Sequence, residues 1–240
     1  PDLSDTTRPA HNCGNLPVCL KAVCECRITI SRDGGVTWDR TSSREAWIPH
    51  GTEQDSYNRL VIGVRAPLRV GDEDWFYAGV LNGDHMGVRN NPEQTSYYHD
   101  RMRQAQVALF VQKHNRYVSL TARNQEEVLI TKPVTIDGDS LQLNVDGSRG
   151  EVRVGIASSE PITCLGAPST AEYLLYSVCK PNFNGQLAGY SFDDCEPVYE
   201  NSIDHTVHFA NGSDLAVLRG QTVRLLFKMQ DADLYGFRFC

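Results

Sequence analysis

The stretch that most constrains the fold is the octapeptide at residues 31–38, Ser-Arg-Asp-Gly-Gly-Val-Thr-Trp. Asp33 can accept hydrogen bonds from the backbone amides of a tight turn, and the two glycines after it can adopt the positive φ angles that such a turn requires. Ser31 and Thr37 can add local hydrogen bonds, and we expect Trp38 to form an apolar plug under the hairpin. Because every group has a local use, the octapeptide indicates a hairpin and says little about catalysis.

The other periodic segments of the first half predict β-strands. We expect strands at residues 27–31, 60–65 and 74–80, with a turn at Gly71-Asp72. Residues 105–111 fit a helix or a strand, and the turn-like residues that follow them favour a hairpin with residues 117–120.

The second half alternates apolar and polar residues with a period of two, which is typical of strands with one buried and one wet face. The alternating positions are Leu141, Leu143 and Val145; Val152, Val154 and Ile156; Val207 and Phe209; and Val223, Leu225, Phe227 and Met229. Asp137–Asp139 and Asp146–Ser148 supply turns at hairpin spacing. No amphipathic helix of ten residues or more stands out, so the sequence predicts an all-β chain ending in an antiparallel sandwich.

The cysteines indicate the compartment. The eight are Cys13, Cys19, Cys24, Cys26, Cys164, Cys179, Cys195 and Cys240. The first four lack the paired two-residue spacing of structural zinc sites, so disulfides are the better interpretation of their number, and zinc is the alternative. We expect a Cys164–Cys179 bridge and consider a Cys195–Cys240 pair, although spacing alone does not determine connectivity. With the N-glycosylation acceptor at Asn211, the pattern predicts an oxidising, extracellular setting.

Charge and hydropathy exclude some partners. Residues 1–132 carry 16 basic and 16 acidic side chains, whereas residues 133–240 carry 7 and 14. The net charge of −7 therefore lies in the second half, which argues against nucleic acid and anionic lipid surfaces as partners. No apolar run approaches the roughly 18 residues that span a bilayer. Because the chain starts at Pro1 without an apolar leader, we expect a mature or excised segment.

Several stretches resemble a known superfamily. Residues 31–38 match the Asp-box, S-x-D-x-G-x-T-W, that recurs on the blades of sialidase-type β-propellers. Residues 73–85 and 117–146 look like the final blade of secreted five-bladed propellers related to glycoside hydrolases. The strands that follow resemble the C-terminal β-sandwich of invertase-, arabinanase- and sialidase-like proteins. The resemblance implies an all-β chain with partial propeller blades followed by a concanavalin- or jelly-roll-like sandwich.

The resemblance also implies a domain division. We expect a Cys-rich N-terminal segment at residues 1–26, a partial propeller of about two blades at 27–130, and a sandwich at 131–240. A disulfide-clipped insertion is expected at 159–188. In the family the catalytic carboxylates lie on inner strands of several, mostly early, blades. Too little chain precedes the sandwich to supply those blades, so this chain alone is not expected to assemble a complete active site.

The family position of one loop provides candidate ligand-binding residues. Asp84 and His85 follow an inner-strand candidate, where an acid, base or sugar-hydroxyl acceptor would face the central pocket. The aromatic and polar side chains expected to accompany them are Trp75, Tyr98, His99 and Arg101. His205 and His208 lie three apart on a predicted strand and face opposite sides, so no metal site is expected there.

These observations lead to two functional hypotheses. The first is a secreted, disulfide-bonded protein that binds a glycan or matrix polysaccharide, or has a structural role, without catalysis by this chain alone. The alternative is the C-terminal chain of a glycoside hydrolase whose catalytic blades lie in a preceding segment or a second chain. Neither hypothesis calls for a cofactor or a metal. A weaker third interpretation is an assembly protein whose exposed sheet edges pair with neighbours.

Overall fold

A computed structural model describes residues 24–31, 33–40, 45–52, 57, 60–81, 106–160, 177–179, 185–210 and 214–240, the strand Ser177–Cys179 by its backbone only. The chain divides into two units, Pro1–Tyr117 and Val118–Cys240. The described residues contain no α-helix, and their strands form antiparallel sheets, none of which is closed. The prediction of an all-β chain is therefore confirmed. Within the described ranges, no helix is long and apolar enough to cross a membrane.

The first unit contains a four-stranded antiparallel sheet. Its strands are β1 (Leu60–Ile62), β2 (Leu68–Val70), β3 (Glu73–Leu81) and β4 (Gln106–Lys113). The central strand is β3; β1 and β2 pair along one of its edges and β4 along the other. Gly71 has a φ of 61°, which suits the predicted turn between β2 and β3. Alternate residues of β3 are buried, so this strand places one face on the core of the unit.

The strand β4 forms where the sequence left a helix open, but it does not make the predicted hairpin with residues 117–120. It pairs with β3 instead. The turn-like residues after it are held by the buried Asp74 of β3, whose carboxylate lies 2.7 Å from His114 Nδ1 and accepts the Asn115 amide at 2.9 Å. These contacts hold the residues after β4 against β3, and the chain does not turn back to pair with β4.

The second unit contains two antiparallel sheets. Its strands are β5 (Leu120–Ala122), β6 (Glu127–Ile130), β7 (Val134–Thr135), β8 (Leu141–Asp146), β9 (Glu151–Ser158), β10 (Ser177–Cys179), β11 (Asn201–Thr206), β12 (Thr222–Gln230) and β13 (Ala232–Phe239). In one sheet β12 pairs with β9 on one edge and with β6 and β7 along the other, and β10 pairs with β6. The other sheet has the order β11-β8-β13-β5. A short 3-10 helix, Leu215–Leu218, precedes β12.

Both sheets of the second unit contribute to one hydrophobic core. All the alternating residues predicted from the sequence are buried in it, including the three of β8 and the four of β12. The period of two in the sequence therefore identified the faces of this core correctly. It missed a second buried cluster on the other face of the sheet that contains β12, formed by Val128, Ile130, Ala157, Phe192 and Leu226.

The predicted turns in this unit join different sheets and so do not close hairpins. The turn after Asp146 leads from β8 to β9, which lie in separate sheets. At this crossing Gly150 packs on the Gln230 carbonyl so closely that an added Cβ would lie 1.9 Å from the oxygen. The chain crosses sheets again at Asp231, which has a φ of 45° between β12 and β13. Tight turns occur both in hairpins and where the chain passes from one sheet to another, so local sequence does not distinguish the two.

The structure places the boundary between the units earlier than the expected division at residue 130. The strands β5 and β6 pair with β13 and β12, close to the C-terminus, and so belong to the second unit. Pairing over about a hundred residues leaves no signal in the local pattern of either strand.

Four of the eight cysteines have described side chains, and all four are free thiols: Cys24, Cys26, Cys195 and Cys240. The suggested Cys195–Cys240 bridge is therefore not formed. Cys195 lies in the core, where its sulfur accepts the Val154 amide at 3.2 Å, whereas Cys240 is exposed and its backbone pairs with Ser140. Burial raises the pKa of the Cys195 thiol to about 11, so it stays protonated at neutral pH. Cys13, Cys19 and the Cys164–Cys179 bridge lie outside the described side chains.

Candidate functional site

The octapeptide forms the local turn that its sequence predicts. The Asp33 carboxylate accepts the Thr37 amide at 2.9 and 3.0 Å and the hydroxyls of Ser31 and Thr37. The Gly35 amide donates to Ser31 Oγ at 2.7 Å, and Gly34 and Gly35 have φ angles of 69° and 95°. The bonds from Thr37, followed by those from Ser31, lower the pKa of Asp33 to about 2.

The predicted role of Trp38 is wrong. Its side chain is 64% exposed and lies over the turn itself, where its indole N–H donates to the Gly35 carbonyl at 3.0 Å. The strand predicted at residues 27–31 is reduced to one isolated bridge between Ile30 and Asp39. The hydrogen bonds described for Asp33 are all local, which is what a structural turn requires.

Of the six predicted ligand-binding residues, only Trp75 lies in the described part of the chain. Asp84, His85, Tyr98, His99 and Arg101 lie outside it, as does the glycosylation acceptor Asn211. Trp75 is half-buried on β3, and its indole N–H donates to Glu73 Oε2 at 2.9 Å. Its neighbour Phe76 points to the opposite face of the sheet, which is where a cavity lies.

The cavity belongs to the first unit and has a volume of about 510 Å³. It lies between β3, β4 and the segments around residues 47–52 and 57. Its lining includes Trp47, His50, Tyr57, Phe76, Phe110, Gln112 and Arg116. Pockets that hold small ligands measure roughly 300–1,000 Å³ and combine apolar walls with a few polar groups.

Four aromatic rings form the apolar walls. Phe76 and Phe110 lie directly across from each other on β3 and β4. Trp47 packs edge-on against Phe76, with ring centroids 4.7 Å apart, and Tyr57 packs edge-on against Phe110 at 5.9 Å. Edge-to-face pairs hold rings in defined orientations, so these walls are preorganised for a flat or weakly polar ligand face.

The Trp47 and Phe76 rings are supported by Tyr117, whose centroid lies 5.6 Å from Trp47 and 6.1 Å from Phe76. Burial, and to a smaller extent the nearby Asp74 carboxylate, raises the pKa of Tyr117. The hydroxyl therefore stays protonated at neutral pH, and the support behind the aromatic wall stays uncharged.

Gln112 contributes a fixed amide to the cavity. The Trp47 indole N–H donates to Gln112 Oε1 at 3.0 Å, and because an indole nitrogen only donates, this contact determines which way the amide points. The other end, Nε2, is buried and has no hydrogen-bond partner in the described structure. A buried donor without an acceptor costs roughly 1–3 kcal/mol, which a ligand oxygen would recover if the surrounding side chains shift to let it reach Nε2.

Three further polar residues line the cavity: His50, Thr52 and Arg116. His50 Nδ1 lies 3.0 Å from the Gly51 carbonyl, which only accepts, so this nitrogen carries a proton. Among the described lining residues there is no carboxylate, and nowhere in the described ranges do three His, Cys, Asp or Glu side chains gather as metal ligands.

Sequence reasoning missed this cavity. Phe76, Phe110 and Gln112 share a face only once β3 and β4 pair across a connection of more than twenty residues. Trp47 comes from an irregular segment that carries no periodic signal. The available clue was the spacing of Phe110 and Gln112, which puts them on the same face of any strand.

No protein-family model, curated protein or solved structure matches this chain.

Proposed function

We propose that this chain is a secreted glycan-binding protein whose first unit holds the sugar in the aromatic cavity. The observation that carries the proposal is the unpaired, buried Nε2 of Gln112 between aromatic walls. A pyranose has an apolar face of C–H groups, which suits aromatic rings, and a rim of hydroxyls, which can accept from an amide N–H. The volume of about 510 Å³ has room for such a ring.

The proposal extends to the architecture of the two units. The antiparallel sheet of the first unit, in which β3 pairs with β1 and β2 on one edge and with β4 on the other, supports a blade-like role, as the Asp-box resemblance implies. The two sheets that share one core in the second unit support the interpretation as a β-sandwich. Secretion is proposed from the sequence alone, on the Asn211 acceptor and on the bridges predicted among the four cysteines outside the described side chains.

Catalysis belongs to the alternative hypothesis, in which this chain is part of a glycoside hydrolase, and it stays a prediction. Glycoside hydrolysis requires two carboxyl groups flanking the bond that is cleaved. The described cavity lining provides none, and the predicted Asp84 lies outside the described residues. Binding therefore has the stronger support.

The test is a Gln112→Glu variant compared with wild type on a glycan array, followed by titration calorimetry on the best ligand. Glutamate keeps an oxygen for the Trp47 N–H but replaces the Nε2 donor with an acceptor. We expect binding to weaken by roughly tenfold, since the lost N–H···O hydrogen bond is worth about 1.5 kcal/mol and the new carboxylate has to lose water when the ligand binds.

The matched control is Gln106→Glu, which places the same substitution on an exposed residue of the same strand that does not line the cavity. It should bind like wild type. An unchanged affinity in Gln112→Glu, with Trp47 fluorescence showing an intact wall, would place the glycan elsewhere. Failure of the wild type to bind any glycan would overturn the proposal itself.

A further inference from the structure

The face of the first sheet opposite the cavity is apolar and exposed. The residues of this outer face, which share one side of β1 to β4 by their register, are Ile62, Leu68, Val70, Trp75, Tyr77, Val107, Leu109 and Val111. Seven of them are 41–75% exposed, and Trp75 is half-buried. An antiparallel sheet with one buried face normally carries polar residues on the other.

The outer face is as large as the largest apolar patches that soluble monomers show. Seven aliphatic or aromatic residues exposed to this degree present on the order of 600 Å², at the upper end for the largest apolar patch of a monomer. With its rim, this approaches the roughly 800 Å² that each partner buries in a standard stable interface.

The outer face is uncharged at its centre. Its described charged side chains are Glu73 and Lys113, which lie directly across from each other at one end. Interface centres are depleted of charge in the same way, and a neutral centre lets two identical faces meet without repulsion.

The shape of the outer face is self-complementary, because a protruding side chain lies beside a position without one. Val107 protrudes, with 75% of its surface exposed, and it lies directly across from Gly79, which has no side chain. On the other side of Gly79 stands Ile62. The face thus carries a projection and a depression side by side, as an interface related by a twofold axis requires.

We propose that the outer face is a homodimer interface, on which a second copy of this chain packs the same face. The connection between β3 and β4, residues 82–105, is a poor candidate to cover the outer face. It contains eight charged or histidine side chains, which would lose water on an apolar surface. A second copy supplies a neutral, equally apolar sheet at the usual sheet-packing distance of about 10 Å.

The interface and the cavity lie on opposite faces of the same sheet, since Tyr77 and Leu109 belong to one and Phe76 and Phe110 to the other. Of the outer-face residues, Val111 also borders the cavity. A dimer therefore leaves both cavities open. Two linked sites bind a repeating polysaccharide with greater avidity than either does alone. The interface proposal is tested independently of the glycan proposal, because the mass of the protein in solution is measured without ligand.

Sedimentation equilibrium of the whole chain over a range of concentrations tests the interface. It is done in reductant, because exposed Cys240 could otherwise cross-link copies. We expect wild type to approach twice its mass of 26.8 kDa and Val107→Lys to remain at that mass, with dimerisation at least tenfold weaker. The matched control is Val217→Lys, which alters a valine that is 69% exposed in the second unit and should leave the dimer intact.

A second measurement uses the wild type alone, in case Val107→Lys does not fold. Nitration of Tyr77, which is 42% exposed, should slow as the protein concentration rises through the dimerisation range. A wild type that is monomeric throughout, a dimer that survives Val107→Lys, loss of the dimer in Val217→Lys, or nitration of Tyr77 that is independent of concentration would each overturn the proposal. A different protein captured on this face by a monomeric wild type would also do so.

Discussion

At the scale of single residues, the Asp33 turn and the Gln112 amide differ in how far along the chain their hydrogen-bond partners lie. The partners of the Asp33 turn lie within four residues, so its own sequence specifies it. The partner of Gln112 is Trp47, 65 residues away. The cavity amide is therefore a product of the fold, whereas the turn is a product of its own eight residues.

The turn should respond to acid in a defined range. The pKa of Asp33 is about 2 when folded, below its ordinary value of 3.8, so the turn is stabilised above pH 4 and loses that contribution as the pH falls through 2. Proton NMR should show the Thr37 amide and Trp38 indole N–H resonances shifting together with a midpoint near pH 2. In Asp33→Asn neither resonance should titrate in that range, and a midpoint near 4 in wild type would contradict the hydrogen bonds.

At the scale of the strand, alternation identified faces but not neighbours. The alternating residues predicted in β8, β9 and β12 are all buried, because a strand alternates its side chains whatever it pairs with. Ala157 and Leu226 are buried on the other face and were not predicted. The pairing partners of the strands were not predictable. For example, β4 pairs with β3 and not with residues 117–120, which are nearer in sequence. Which edge a strand joins depends on contacts between segments that are remote in sequence.

The crossing between the sheets of the second unit should be intolerant of any side chain at Gly150. A Cβ there would lie 1.9 Å from the Gln230 carbonyl, so Gly150→Ala requires a backbone shift and should destabilise the unit by roughly 1–3 kcal/mol. Thermal unfolding followed by circular dichroism measures this. Gly236→Ala is the control, because a Cβ at Gly236 meets nothing within 4 Å, and its effect should stay within about 0.5 kcal/mol.

At the scale of the molecule, each unit has a core of its own. The core of the second unit contains residues from strands at both of its ends, including β5 and β13. The first unit gathers a smaller cluster around Ile48, Val61, Ala78 and Val80. Cores that share no residues are characteristic of domains that can fold separately.

Residues 118–240 should therefore fold without the first unit. We expect a cooperative thermal transition and dispersed methyl resonances, since the buried strands of this unit pair only with one another. The fragment 131–240, cut at the boundary that the sequence suggested, lacks β5 and β6 and should be markedly less stable. Equal stability of the two fragments would show that the sequence-based boundary was the better one.

Local chemistry alone determined the all-β class, the Asp33 turn and the strand faces that form the main core of the second unit, because propensity, turn formation and alternation act over a few residues. Packing between remote segments decided the strand partners, the unit boundary at Tyr117, the cavity around Gln112 and the exposed outer face behind it. The octapeptide predicted a hairpin and little chemistry, and its geometry agrees. The candidate chemistry lies where β3 and β4 meet, a pairing that no short stretch of this sequence specifies.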